Sequence, residues 1–132
     1  MIIFLYSIAA AAVLIYVPFL VVAYARARIG SEMFSTPRAM FDKLPPYAQR
    51  ATWAHQNTFE AFMIFAAAAL MAYVTSVNSF TAQVAAIAFV VGRFLYSIFY
   101  ILNIPLLRSL MFAIGISSSA TLIFLSIIQA TS

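Results

Sequence analysis

The sequence predicts an all-α membrane protein, a single domain over 1–132 built as a four-transmembrane-helix bundle. Three observations carry that expectation. Of 132 residues, 66% are hydrophobic and only 8% charged, a balance that suits lipid rather than water. Apolar stretches of membrane-spanning length recur four times along the chain, and apart from Glu60 and Arg93 the charged residues fall between them or near their ends. The formal net charge of +4 rests on seven basic residues scattered over loops and helix ends, and without a dense patch it argues against a nucleic-acid partner. There is no cysteine, which removes disulfide frameworks, thiolate metal sites and a protein-borne thiol nucleophile together.

The first helix is expected over about 2–25. At about 1.5 Å per residue it crosses a hydrocarbon core of about 30 Å with some tilt. Ala23-Tyr24-Ala25 imitates a signal-peptidase site, but no positive charge precedes the run and it exceeds a signal-peptide core in length, so it reads as a mature helix. The second helix, 47–74, is polar for its first turns and apolar from Ala61 to Val74. The third, 82–102, carries a single charge, Arg93. The fourth, 106–128, contains serines and a threonine at 117–121, which are expected to face other helices.

The connections set the topology. The first, from Arg26 to Ala48, holds Arg26, Arg28, Arg38 and Lys43 against Glu32 and Asp42, with prolines at 37, 45 and 46, and reads as a polar, turn-rich loop. The second, Thr75 to Thr81, is uncharged, and the third, Asn103 to Pro105, is a tight turn followed by Arg108. By the positive-inside rule the first and third connections are cytoplasmic and both termini lie opposite. The short loops suit a bacterial inner membrane.

Polar residues gather on two stripes. At about 100° per residue, Arg50, Trp53, Asn57 and Glu60 fall within an arc of about 80° on the second helix, whereas His55 points away and reads as a satisfied structural residue. An unpaired carboxylate at Glu60 would cost several kcal/mol in lipid, so a cation or bound donor is expected beside it. Arg93, Tyr96 and Tyr100, at i, i+3 and i+7, put a cation and two phenols on one face of the third helix. Arg93 is expected to be structural, pairing with Glu60 or capping carbonyls. Arg108 and Ser109 open the fourth helix near the same membrane surface, where Arg26 and Arg28 also end the first. Tyr96 and Tyr100 fit interfacial aromatics as well as ligand contacts, Trp53 reads as an interface anchor, and Arg38 and Lys43 read as solvated loop charges.

This collection offers one carboxylate and no paired imidazoles, so no metal is expected, and the lone His55 supports no Ser-His-Asp triad. It suits an anionic, peptide-like ligand: arginines for carboxylates, Glu60 for an ammonium group, Asn57 for an amide. A nearby arginine also favours the ionised form of a ligand thiol.

The chain resembles the MAPEG family, the membrane-associated proteins of eicosanoid and glutathione metabolism, across essentially all four helices. "RATWAHQNTFEAF" is similar to the family's R-A-H-x-N-x-x-E stretch, and "FVVGRFLYSIFY" with "LLRS" to its G-R, Tyr and Arg-Ser segments. The resemblance implies a homotrimer, glutathione as co-substrate between neighbouring protomers, and an arginine-stabilised thiolate that attacks lipophilic electrophiles or peroxides, a detoxifying transferase. Carried over by residue, Arg108 with Ser109 would be catalytic, and Arg26, Asn57, Glu60, Tyr96 and Tyr100 would bind glutathione; Arg50 and Arg28, which match no family position, are expected to meet its carboxylates beside Arg26. One position departs: the arginine of R-A-H is Trp53 here, with Arg50 one turn earlier. Either Arg50 reaches the ligand, or its anionic end is held differently, or the ligand is another small thiol. The alternative is a non-catalytic membrane scaffold whose polar groups only fix helix register; a transporter lacks support, since neither inverted repeats nor broken helices are seen.

Overall fold

The computed structural model describes residues 2–132 and is all-α among them. Helix α1 spans Ile2–Ile29, a short α2 spans Glu32–Ser35, and three further long helices follow: α3 (Pro46–Val74), α4 (Phe80–Ile101) and α5 (Pro105–Thr131). The four long helices are each apolar and long enough to cross a membrane. The protein is therefore an integral, multi-pass membrane protein. α1 packs chiefly along α3 and α4 along α5; the two pairs join through α3 against α5 and α1 against α4.

Local chemistry explains the helix ends. Nothing in Arg26 to Ile29 breaks a helix, so α1 continues past the expected end, and Arg26 and Arg28 lie in its last turn, where cations favour the helix dipole. Gly30, at φ 133°, ends it in a conformation that costs other residues more. Pro45 is extended and Pro46 is the first residue of α3, the position where a missing N–H is harmless. α4 starts two residues before the expected point because the Ser79 side chain accepts a hydrogen bond from the Ala82 N–H at 3.2 Å. Asn103, at φ 61°, turns the chain between α4 and α5, and Pro105 opens α5.

The first connection is more than a polar loop. Besides α2 it holds a 3-10 turn at Phe41–Lys43, and Met33 and Leu44 are buried against Val22, Ala25, Ala48 and Ala51. The Gln49 side-chain amide donates to the Phe41 and Leu44 carbonyls, at 3.5 and 3.2 Å, and ties the connection to α3.

The main core lies nearer the other end of the bundle. Phe65 stacks on Phe89 with centroids 3.9 Å apart, among Ala68, Ala69, Ala72, Ala82, Ala85 and Ala86, whose small side chains let the helices approach. Ser118 and Ser119 are buried as expected, although Ser118 donates to its own helix at the Ile114 carbonyl and Ser117 is exposed. α1 runs on through Pro18, and the Ile15 carbonyl accepts a hydrogen bond at 2.7 Å from Nδ1 of His55 on α3. His55 is thus a structural tie, as its direction on the helix implied.

Replacing Phe65 with Ala should destabilise the detergent-solubilised protein by about 3 kcal/mol or more, read as a lower unfolding midpoint. Tyr6→Ala, on the outward face, should change it little.

Candidate functional site

Arg93 is the centre of the polar network. It is 1% exposed, yet its Nη2 donates to Asn57 Oδ1 at 2.9 Å and to Thr58 Oγ1 at 3.0 Å, and its guanidinium sits 3.9 Å from the Tyr96 ring centroid. Its stem packs against α5 beside Gly115, where a Cβ would stand 3.4 Å from Arg93 Cδ, in van der Waals contact. The expected pairing with Glu60 is not made. Asn57 and Thr58 are about 100° apart on α3 and Arg93 fits between them, whereas Glu60 lies about 60° beyond Asn57 on the other side. Glu60 is exposed on the outward face of α3. Thr58, which takes half of the Arg93 interaction, was missed because a threonine on an apolar helix carries no charge signal.

The Arg93 contact also fixes the orientation of Asn57. A guanidinium only donates, so Asn57 turns its oxygen inward and leaves its amide nitrogen as a donor for whatever lies outside.

From Tyr96 the network runs towards the α4–α5 turn. Tyr96 meets Tyr100 edge to face at 5.6 Å, and the Arg108 guanidinium lies 4.8 Å from the Tyr100 ring centroid. Two cations are therefore held on two successive phenol rings, each contact of a kind worth about 0.5–2 kcal/mol. Ser109 is exposed beside Arg108. Arg50 donates through Nε to the Ile101 carbonyl at 3.0 Å, which caps α4 and places the first turns of α3 at the same end of the bundle as Arg108.

Arg26 and Arg28 belong to a different neighbourhood. Arg28 is exposed over Tyr24, at 5.9 Å, while Arg26 lies 5.8 Å from the Phe19 ring and lines a cleft of about 520 Å³ between α1 and α3. Arg38, exposed as expected of a loop charge, also lines that cleft. An apolar pocket of about 190 Å³ opens between α3, α4 and α5, lined by Ile64, Phe89 and Ile116 with Arg93 and Ser119. Among the described residues no cluster of three or more His, Cys, Asp or Glu side chains gathers as a metal site would require.

Four spanning helices with a buried Arg–Asn network and a Tyr–Tyr–Arg ladder define a multi-pass membrane protein whose polar chemistry is concentrated towards one end. The model of the MAPEG family matches residues 3–128, and the chain belongs to that family, which places it among membrane proteins of the glutathione and eicosanoid metabolism kind. Comparison with curated proteins gave no match, and comparison with solved structures gave none.

Thr58→Val, which leaves Arg93 one acceptor short, should cost about 1–3 kcal/mol of stability. Thr58→Ser, which keeps the hydroxyl, should unfold close to wild type in the same thermal assay.

Proposed function

We propose that the protein is a glutathione-dependent membrane enzyme, a transferase or peroxidase acting on lipophilic electrophiles, and that it works as a homotrimer with glutathione held between protomers. The observation that carries this reading, beside family membership, is Arg108 held 4.8 Å from the Tyr100 ring centroid where α5 begins.

In this reading Glu60 accepts from the ammonium group of glutathione, and the Asn57 amide nitrogen donates to a peptide carbonyl. Tyr96 and Tyr100 border the tripeptide backbone. Arg26 meets a carboxylate, with Arg28 near it. Arg50 has a smaller part than its spacing implied, because its Nε already serves the Ile101 carbonyl. Arg108, with Ser109 beside it, stabilises the thiolate by placing a fixed positive charge where negative charge develops. The thiol proton leaves to water. The thiolate sulfur then bonds to an electrophilic carbon, and the expelled group or the resulting anion takes a proton from water; or it attacks a peroxide oxygen, the O–O bond breaks, and the products are a glutathione sulfenic acid and an alkoxide that water protonates, the sulfenic acid condensing with a second glutathione to the disulfide and water. No side chain has to act as nucleophile, which agrees with a chain that has no cysteine.

An exposed carboxylate on a spanning helix supports the trimer, since an uncovered Glu60 would face lipid at a cost of several kcal/mol. The cations at the ends of α1 and α5 and in the first connection support a cytoplasmic position for that end, with both termini opposite, as in a bacterial inner membrane protein.

Calorimetric titration of the detergent-purified protein with glutathione tests the proposal. Wild type should bind, Glu60→Ala should bind about tenfold or more weakly, and Arg108→Ala should bind without generating the thiolate absorbance of wild type. Absence of binding at millimolar glutathione would remove the enzyme reading and favour another thiol or a scaffold.

A further inference from the structure

Two adjoining clefts lie between α1, α3 and the first connection. The larger, about 520 Å³, is lined by Phe19, Arg26, Arg38, Thr52, His55 and Gln56 among others. The smaller, about 310 Å³, shares Arg26, Arg38, Thr52 and Gln56 and adds Phe41 and Trp53. No carboxylate lines either one. Two guanidinium groups on one concave surface repel each other until an anion lies between them, and their planar forks suit the two oxygens of a carboxylate or phosphate. The Nε of Arg26 is buried without an acceptor among the described residues.

The segment that brings Arg38 here is anchored. Gln49 bonds the Phe41 and Leu44 carbonyls, Met33 and Leu44 are buried, and the Phe41 ring packs 5.7 Å from that of Trp53. His55 is held in the wall of the cleft by its Nδ1–H, which it gives to the Ile15 carbonyl. Gln56 adds an amide to the same wall.

We propose that Arg26 and Arg38 form an oxyanion clamp in the α1–α3 cleft, which grips the carboxylate of a peptide thiol or the anionic headgroup of a lipid. Arg38, carried by the connection, then supplies the second cation that Arg50, occupied at the end of α4, does not. The peptide-thiol arm rests on the function proposed above; the oxyanion site itself does not.

Trp53 is the chain's one tryptophan and lines the smaller cleft, so its fluorescence reports on this place alone. The test titrates glutathione into the purified protein in neutral detergent. In parallel, the protein is compared in phosphatidylcholine nanodiscs with and without phosphatidylglycerol, and Arg38→Gln is measured beside wild type throughout. Because Arg38 is exposed, the variant should fold, with an unchanged unfolding midpoint as its control. The clamp predicts a saturable change in Trp53 emission with glutathione or with phosphatidylglycerol, weakened at least tenfold by Arg38→Gln. A response to phosphatidylglycerol, with glutathione silent in fluorescence and calorimetry alike, keeps the clamp, with lipid as its ligand, and counts against the enzyme reading. Calorimetric glutathione binding that Arg38→Gln leaves unchanged, with no Arg38-dependent change in Trp53 emission from either ligand, overturns the clamp and leaves the enzyme reading standing. Silence in every titration overturns both.

Discussion

A guanidinium buried between three apolar helices is the constraint on which the polar architecture depends. Placed in a low-dielectric interior without partners, the Arg93 cation would cost several kcal/mol after relaxation, so its neighbours have to be right. Asn57 and Thr58 accept its hydrogen bonds, Tyr96 offers its ring face, and its stem packs beside Gly115. These residues come from α3, α4 and α5. Any slip of one helix along another would strand the charge, and the interaction therefore fixes helix register where alanine packing alone would be permissive.

The same constraint shapes the face that is proposed to work. With its oxygen given to Arg93, Asn57 presents only a donor outward. Tyr96, held against Arg93, props Tyr100, and Tyr100 holds Arg108 where α5 begins. A buried structural cation and an accessible one are thus linked by two phenols. The apolar core around Phe65 and Phe89 keeps the far end of the bundle rigid, and the Arg50 cap on α4 ties the near end.

Much of this was legible in the sequence, and the reasons can be assigned. Spanning helices are among the strongest signals a sequence carries, because a bilayer leaves backbone polar groups no other partner. The Arg93, Tyr96 and Tyr100 stripe followed directly from helical spacing. What escaped is contact made across the fold. Glu60 looked like the natural partner of Arg93 by charge, but azimuth decided in favour of an uncharged pair, Asn57 and Thr58. Arg38 is the exposed loop charge that the sequence implied, but spacing says nothing of where a long connection folds back, and Met33, Leu44 and Gln49 anchor the connection that carries it to the cleft. Ser79 moved the start of α4 through a cap that hydropathy does not register.

The account depends most on what covers the outward face of α3, where Glu60 stands exposed on a spanning helix. Native mass spectrometry of the protein released from nanodiscs or mild detergent reads that directly. A dominant trimer is the predicted result, with neighbouring copies enclosing Glu60. A monomer that persists at high protein concentration in a lipid bilayer would leave Glu60 facing hydrocarbon and would contradict the central claim that this face is completed by other copies of the chain.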